Sequence, residues 1–396
     1  MLKINSKLFP KAVKQNLKIS VIVPVKDEEE FIFNTLEALR LQEDHFGNPL
    51  DKNIYEVLIL INNSTDESFL ICTEFALNHP EFNLQIANIN LSKEIAFIGT
   101  VRKMMMDEAC ERLMSIGANK GIIASTDGDS EVDKNWVYCI INEMEKGVDV
   151  VGGRIYPKQV PEDTRWPHLR DVTYRFLASK LESIIDQSTY DPWPRHFQCY
   201  GASVAVTCEI YQKVGGMPPL PFLEDEEFRR LLKRIDAKIR KSPSVKIYTS
   251  SRFVGRVEFG FSVQLKQWTE MHFAKQEQLV ESLDSLSYKF INKRKLRILW
   301  ELNKQNTILA EDLLNCSLAL SVAHNWLADK FFSSVYFEGL WEDIEDQLRL
   351  TENKNINRTT IGQAISELRM YFSADKNLKV VQEQSTKSNL SSGLAV

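Results

Sequence analysis

An apolar run at residues 122–126, IIAST, leads directly into Asp127-Gly128-Asp129. Two carboxylates separated by one small residue can face the same hard cation, which takes oxygen ligands and keeps part of its water when bound to a diphosphate. The same residues can also turn the chain ahead of a helix at Lys134-Asn135-Trp136, with Asp133 suited to cap it. A calcium EF-hand is excluded. A loop starting at Asp127 would need Gly sixth and Glu twelfth, and Val132 and Tyr138 stand there.

The surrounding elements bear on the choice. ISVIVPV (19–25), YEVLILI (55–61), LQIANINL (84–91) and GIIAST (121–126) are apolar, β-rich runs of the kind buried on both faces. Helical spacing follows the first three. Phe31, Leu36, Leu39 and Leu41 share one face, TDESFLICTEFALNH starts on a Thr/Asp cap, and VRKMMMDEACERLMSIG closes at Gly117. DVVGGRIYP (149–157) reads as a further strand. Repeated strand–helix units predict an α/β fold with a mostly parallel central sheet and helices on both faces. Ligands of such sheets bind beyond the carboxyl ends of the strands. Those ends are Pro24–Glu28, Asn62–Asp66 and Asp127–Asp129, all polar after apolar strands.

The rhythm changes near residue 160. An inserted loop and a helix over roughly 169–186 lead to an edge strand, followed by a helix over 224–235. From Val263 the pattern is helical, with Leu314, Leu318, Val322 and Trp326 at four-residue steps. The predicted organisation is an α/β domain over 1–262, a helical C-terminal extension over 263–375 and a polar, disordered tail over 376–396.

Composition narrows the function classes. The chain has 396 residues, 43% hydrophobic and 26% charged, ordinary values for a globular protein. Its 49 basic and 54 acidic residues give a net charge of −5, which argues against a dedicated nucleic-acid binder. Six scattered cysteines without a CxxC pair fit a reducing compartment and form no zinc motif. The N-terminal stretch lacks the apolar core of a signal peptide, and no run approaches membrane-spanning length. A cytoplasmic protein without an integral membrane segment is expected.

Four stretches occur in order: ISVIVPVKDEEEFIFNTLEAL, LILINNSTDES, STDGDSEVDKNWV and GASVAVTCEIYQKVGGMPPLPFLEDEEFRRLLKRI. Together they resemble the family 2 glycosyltransferases of the GT-A fold, which move a sugar from a nucleotide-sugar to an acceptor hydroxyl. The resemblance spans residues 18–262. It implies a Rossmann-like α/β fold, a UDP- or GDP-linked donor and a bound Mg²⁺ or Mn²⁺. Nucleotide binding is implied for Pro24, Val25, Asp27 and Glu28, where Asp27 replaces the family's Asn, and for Asn62, since Ile61 stands where an Asp is usual. Arg102 echoes a Gly-x-x-x-Arg-Asn helix start with one residue fewer and Lys103 in place of Asn; there it can meet the diphosphate. Asp127 is implied on the ribose or sugar side and Asp129 on the cation, which offsets charge on the leaving nucleoside diphosphate.

The Glu224-Asp225 pair opens the predicted 224–235 helix. An inverting transferase needs a base for the attacking hydroxyl, and Asp225 is the expected one, with Glu224 beside it. Four acids in a first helical turn also suit the helix dipole. Arg252 and Arg256 are expected to clamp the diphosphate or an anionic acceptor, and Trp193, His196, Gly201 and Ala202 to shape the acceptor side. Trp166, His168 and Tyr200 belong to the same aromatic-rich region, where the rings can also pin a long loop. Gln264-Leu-Lys-Gln-Trp268 departs from the Gln-x-x-Arg-Trp of processive synthases, and His272 is a further metal-ligand candidate. A retaining transferase acting on a small anionic acceptor, or a catalytically silent nucleotide-sugar-binding scaffold, are the alternatives. The C-terminal helices offer a surface for self-association.

Overall fold

The computed structural model describes residues 8–160, 162–250, 277–305, 310–350 and 357–374. Arg252, Arg256, the Gln264–Trp268 stretch, His272 and the expected tail lie outside the described residues.

The apolar runs form strands, and their alternation builds two cores. β1 (Ile19–Val25) and β2 (Tyr55–Asn62) are buried along their whole length. Side chains of a strand point alternately to opposite faces. Val21, Val23, Val57 and Ile59 therefore enter one core, with Leu36 and Leu39 of α1 (Ile32–Arg40), Phe75 of α2 (Ser68–Asn78) and Trp136 of α4 (Trp136–Glu145). Ile22, Leu58 and Leu60 enter the other, with Val101, Met105 and Ala109 of α3 (Ile98–Ser115). Each fully buried Val, Leu, Ile, Phe or Met among them contributes about 1.5–3 kcal/mol. Continuous apolar strands thus have helices on both sides to satisfy.

The remaining strands are β3 (Leu84–Ile89), β4 (Ile122–Ser125), β5 (Ser130–Val132), β6 (Val150–Pro157), β7 (Val204–Thr207) and β8 (Ile239–Thr249). They complete an eight-stranded sheet in the order β3-β2-β1-β4-β7-β6-β8-β5. β3, β2, β1 and β4 run parallel, and β6 pairs parallel with β8. β7 and β5 are antiparallel to their neighbours. The chain fills β1, β2 and β3 outward and then crosses back to place β4 on the other side of β1. That reversal opens a crevice at the carboxyl ends of β1 and β4, the usual ligand position of an open α/β sheet. The helices α6 (Cys208–Lys213) and α7 (Glu224–Arg234) follow β7.

The described chain divides into two compact units along discontinuous boundaries. The first takes described residues from 1–161, 188–267 and 329–344; the second takes them from 162–187, 268–328 and 345–396. Within the second, α5 (Glu162–Ile185) and α8 (Leu283–Asn303) join a helix over 361–374 around Tyr174, Leu181, Phe290, Ile365 and Leu368. A short antiparallel pair, β9 (Leu279–Glu281) with β10 (Arg358–Thr360), belongs to the same unit. α5 begins earlier than expected, at Glu162, with Pro167 inside its second turn. The expected stripe Leu314–Trp326 does not lie on one helix. α9 (Ala310–Leu320) stops at Ser321, whose φ is +57°, and α10 (His324–Ser333) begins afresh. Leu313, Leu320 and Leu327 are buried instead, and Leu318 is 68% exposed. α11 (Phe337–Leu350) follows. No helix among the described residues is long and apolar enough to cross a membrane.

Candidate active site

Three strand ends meet in the crevice, and their loops are tied together by short polar side chains. After β1 the chain turns at Asp27, whose φ is +48°. The Asp27 amide donates to Ser64 Oγ at 2.9 Å, and its Oδ1 accepts from the Thr65 amide at 2.7 Å. The Glu28 amide donates to Ser68 Oγ at 2.8 Å, and the Glu29 amide to Asp66 Oδ2 at 2.9 Å. The Asn-Ser-Thr-Asp stretch after β2 therefore holds the β1 loop as well as opening α2. Asn63 fastens the loop after β3 in the same way, exchanging side-chain bonds of 2.9 Å with the Leu91 amide and carbonyl.

Asn62, at the end of β2, is 4% exposed, and its Oδ1 has no hydrogen-bond partner among the described residues. Ser125 Oγ and Thr126 Oγ1, at the end of β4, are likewise buried without one. Buried polar atoms are nearly always paired. Three such atoms flanking the end of β1 leave unused hydrogen-bonding capacity there.

Arg102 organises the other half. It projects from the second turn of α3 and is 4% exposed. Nη2 donates to Asp127 Oδ1 at 2.7 Å, and Nη1 is paired with Glu224 Oε1. Gly201 lies directly against this guanidinium: a Cβ there would stand 2.5 Å from Nη1 and 2.6 Å from Cζ. The Gly201 amide in turn donates to Asp225 Oδ2 at 2.8 Å. Four segments far apart in sequence thus converge on one buried cation. Burial pushes the Asp127 and Glu224 carboxyls above the ordinary carboxylate range, against the pull of Arg102. Burial opposes the charge on Arg102, yet Asp127, Glu224 and Asp225 hold its pKa above the usual value.

Asp129 stands on the far side of Gly128. Its Oδ2 accepts from Ser250 Oγ, and its Oδ1 lies 3.4 Å from Ser130 Oγ and 3.5 Å from Thr249 Oγ1. Gly128 packs on the β1 loop, where a Cβ would come within 3.2 Å of Glu28 Cγ and 3.3 Å of Val25 Cγ2. Asp127, Asp129 and the hydroxyls beside Asp129 form an all-oxygen donor set, the type that suits Mg²⁺ or Mn²⁺. No group of three or more His, Cys, Asp or Glu side chains among the described residues is arranged to hold an ion. A cation here would draw further ligands from a diphosphate and from water, as Mg²⁺ commonly does.

The family model for glycosyl transferase family 2 matches residues 20–203, from β1 through Gly201. Over those residues, a little under half of the chain, the sequence is similar to glycosyl transferase family 2. Solved structures similar to it include TarS 1-349 of S. aureus in complex with UDP-GlcNAc, at 15% identity over 85% of this chain and 92% of that one, with a TM-score of 0.44. Another is the mannosyltransferase PcManGT of Pyrobaculum calidifontis in complex with GDP-Man and Mn²⁺, at 14% identity over 86% and 84%, TM-score 0.40. A third is the glucosyl-3-phosphoglycerate synthase of Mycobacterium tuberculosis in complex with Mn²⁺, UDP and phosphoglyceric acid, at 16% identity over 68% and 84%, TM-score 0.35. No curated protein matches the sequence.

In this glycosyltransferase the expected site residues fall into distinct groups. Arg102, Asp127, Gly201, Glu224 and Asp225 come together around one guanidinium; Pro24, Val25, Asp27, Glu28 and Asn62 lie at the ends of β1 and β2, and Asp129 follows β4. Arg102, expected on a diphosphate, is occupied by two carboxylates. Ala202 packs against the sheet core, and Trp193 is 39% exposed on the loop before β7. His196 is fully buried: Nε2 donates to the Ser242 carbonyl at 3.0 Å, and Nδ1 accepts from the Gln198 amide at 3.0 Å. Both ring nitrogens are engaged within the protein, so His196 pins the loop.

Asp191 is the residue that sequence reading passed over. It is 2% exposed and receives Arg195 Nη1 at 3.0 Å, Arg240 Nη1 at 3.2 Å and the Lys241 amide at 2.9 Å. It anchors the loop that carries Trp193 and leads to Gly201. Its neighbours in sequence, Pro192 and Pro194, hinted at a fixed loop but not at its partners.

Proposed function

We propose that the protein transfers a hexose from a UDP- or GDP-linked donor to an acceptor hydroxyl with inversion, in a reaction that depends on Mg²⁺ or Mn²⁺. The observation that carries this reading is the Arg102 array, which joins the donor-side Asp127 to the Glu224-Asp225 pair through one guanidinium.

The division of labour follows from chemistry. Asn62 and the polar atoms at the end of β4 offer hydrogen bonds to a nucleoside. Asp129, with Asp127 beside it, would hold the cation, which supplies charge neutralisation for the departing diphosphate. Arg102 keeps Asp127 oriented and takes up part of the negative charge of the crevice. Glu224 is buried and paired with Arg102, so it holds the helix start in place. Asp225 is only half-buried, and its two oxygens accept from the Gly201 and Glu226 amides at 2.8 Å each. Those bonds fix the carboxylate and leave lone pairs free to take a proton from an acceptor hydroxyl. A reducing, cytoplasmic setting fits the six free thiols.

The test is transfer from UDP- and GDP-linked hexoses to a panel of hydroxyl acceptors, with the product's anomeric configuration read by NMR. Inversion that is lost in Asp225→Asn, while nucleotide binding persists, is the expected result. A retained configuration would remove Asp225 as the base and favour the retaining alternative.

A further inference from the structure

The helix that begins with Glu224-Asp225 is held at its other end by a segment well beyond the family match. α7 has eleven residues, with Phe228 and Leu232 buried in the core. Its last turn meets α11 inside the same compact unit. Asp236, at φ +55°, accepts from the Phe337 amide at 2.9 Å and the Glu338 amide at 2.8 Å, and so caps the start of α11 with both carboxylate oxygens. Arg234 Nη1 donates to Glu342 Oε2 at 2.6 Å, and Arg230 Nη1 to Glu342 Oε1 at 3.1 Å. Asp343 takes Lys330 Nζ at 2.7 Å and lies 3.4 Å from Arg234. Phe337, Leu340, Trp341 and Ile344 are buried beneath this polar layer.

Isolated surface ion pairs contribute little, but a network tied to a cap and a buried apolar face fixes a helix axis. A small displacement of a reacting group costs up to about a hundredfold in rate. We propose that residues 329–344 are a positioning element of the transfer site. In this role Asp236 and Glu342 hold α7 so that Asp225 meets the acceptor hydroxyl. The inference rests on the reading of Asp225 as the base.

The experiment compares Asp236→Ala, Asp236→Asn and Glu342→Gln in the full chain, measuring kcat, donor KM and amide hydrogen exchange along α7. Asp236→Ala and Glu342→Gln should lower kcat by about tenfold and about threefold, with donor KM within about twofold of wild type. Asp236→Asn keeps a side-chain oxygen for the α11 amides and should recover most of the loss. Glu342 is partly exposed and lies outside the buried apolar face of α11, so its variant keeps the test open if Asp236→Ala fails to fold. Variants that melt earlier yet turn over at the wild-type rate below their melting point would overturn the inference. Asp225→Asn, run in parallel, separates the two claims. If transfer survives it, the base assignment fails and the positioning role with it; if transfer is lost in Asp225→Asn while kcat stays at the wild-type value in Asp236→Ala and Glu342→Gln, the positioning role alone fails.

Discussion

One guanidinium decides the character of the crevice. Arg102 pairs with Asp127 and Glu224 together, so the buried Glu224 and the half-buried Asp127 both have a counter-charge. Asn62 is the opposite case, a buried amide whose oxygen has no partner among the described residues. An unmade bond of this kind costs about 1–3 kcal/mol, and a ligand N–H that fills it recovers part of that. Asn62→Ala should therefore weaken nucleoside diphosphate binding by about tenfold, while the ligand-free protein loses little stability. Calorimetry with UDP and GDP checks the first part and urea titration the second; unchanged affinity would remove Asn62 from the site. At this scale the sequence was partly legible. Asp127 and Asp129 announce themselves by standing at the end of an apolar strand. Arg102 does not announce its partners, because Glu224 is 122 residues away and the pairing exists only once α3, β4 and α7 are packed.

Elements were more legible than contacts, because strand alternation and helix periodicity are local. β1, β2 and β3 stand where their apolar runs put them, and α7 opens at the expected Glu224. The loop from 188 to 203 was not, since what fixes it is neither periodic nor local. Asp191 gathers two arginines and a lysine, and His196 uses both ring nitrogens. Burial pushes His196 down to about 3. The sign follows directly. Between that value and the ordinary 6.5 the unfolded chain binds the proton and the folded one does not. This contribution to stability is whole above pH ~6.5 and falls with pH by at most about 1.4 kcal/mol per unit toward 3. Urea midpoints at pH 7 and 5 should show the loss, and His196→Gln should flatten it. An equal pH dependence in the variant would contradict the account.

Across the whole molecule, stability rests on charges placed inside the sheet as well as on apolar packing. Glu56 on β2 is fully buried, bonded to Arg112 Nη2 at 2.6 Å and Nε at 3.0 Å and to Ser20 Oγ at 2.6 Å. Arg112 also donates to the carbonyls of Phe9 and Lys11 at 2.7 and 3.0 Å, which fastens the segment before β1 to α3. Breaking such a pair strands a buried charge, so Arg112→Met should cost about 3–5 kcal/mol in urea unfolding. A loss below about 1 kcal/mol would mean that the carboxylate is not held as described. Nothing local in YEVLILI names the partner of its Glu, because Arg112 is 56 residues away and meets it only once α3 covers the strand. The two-unit division was equally hidden, since 329–344 returns to the first unit from the far end of the chain.

The central claim is a cation-dependent nucleotide site at Asp127 and Asp129. Its most direct test is thermal unfolding of wild type and Asp129→Ala with UDP or GDP, with and without Mn²⁺. At a hundredfold excess over Kd, binding adds about 2.7 kcal/mol. The account predicts a rise in melting temperature for wild type with nucleotide and Mn²⁺ together, and its loss in Asp129→Ala. An equal rise in both proteins, or none in wild type, would contradict it.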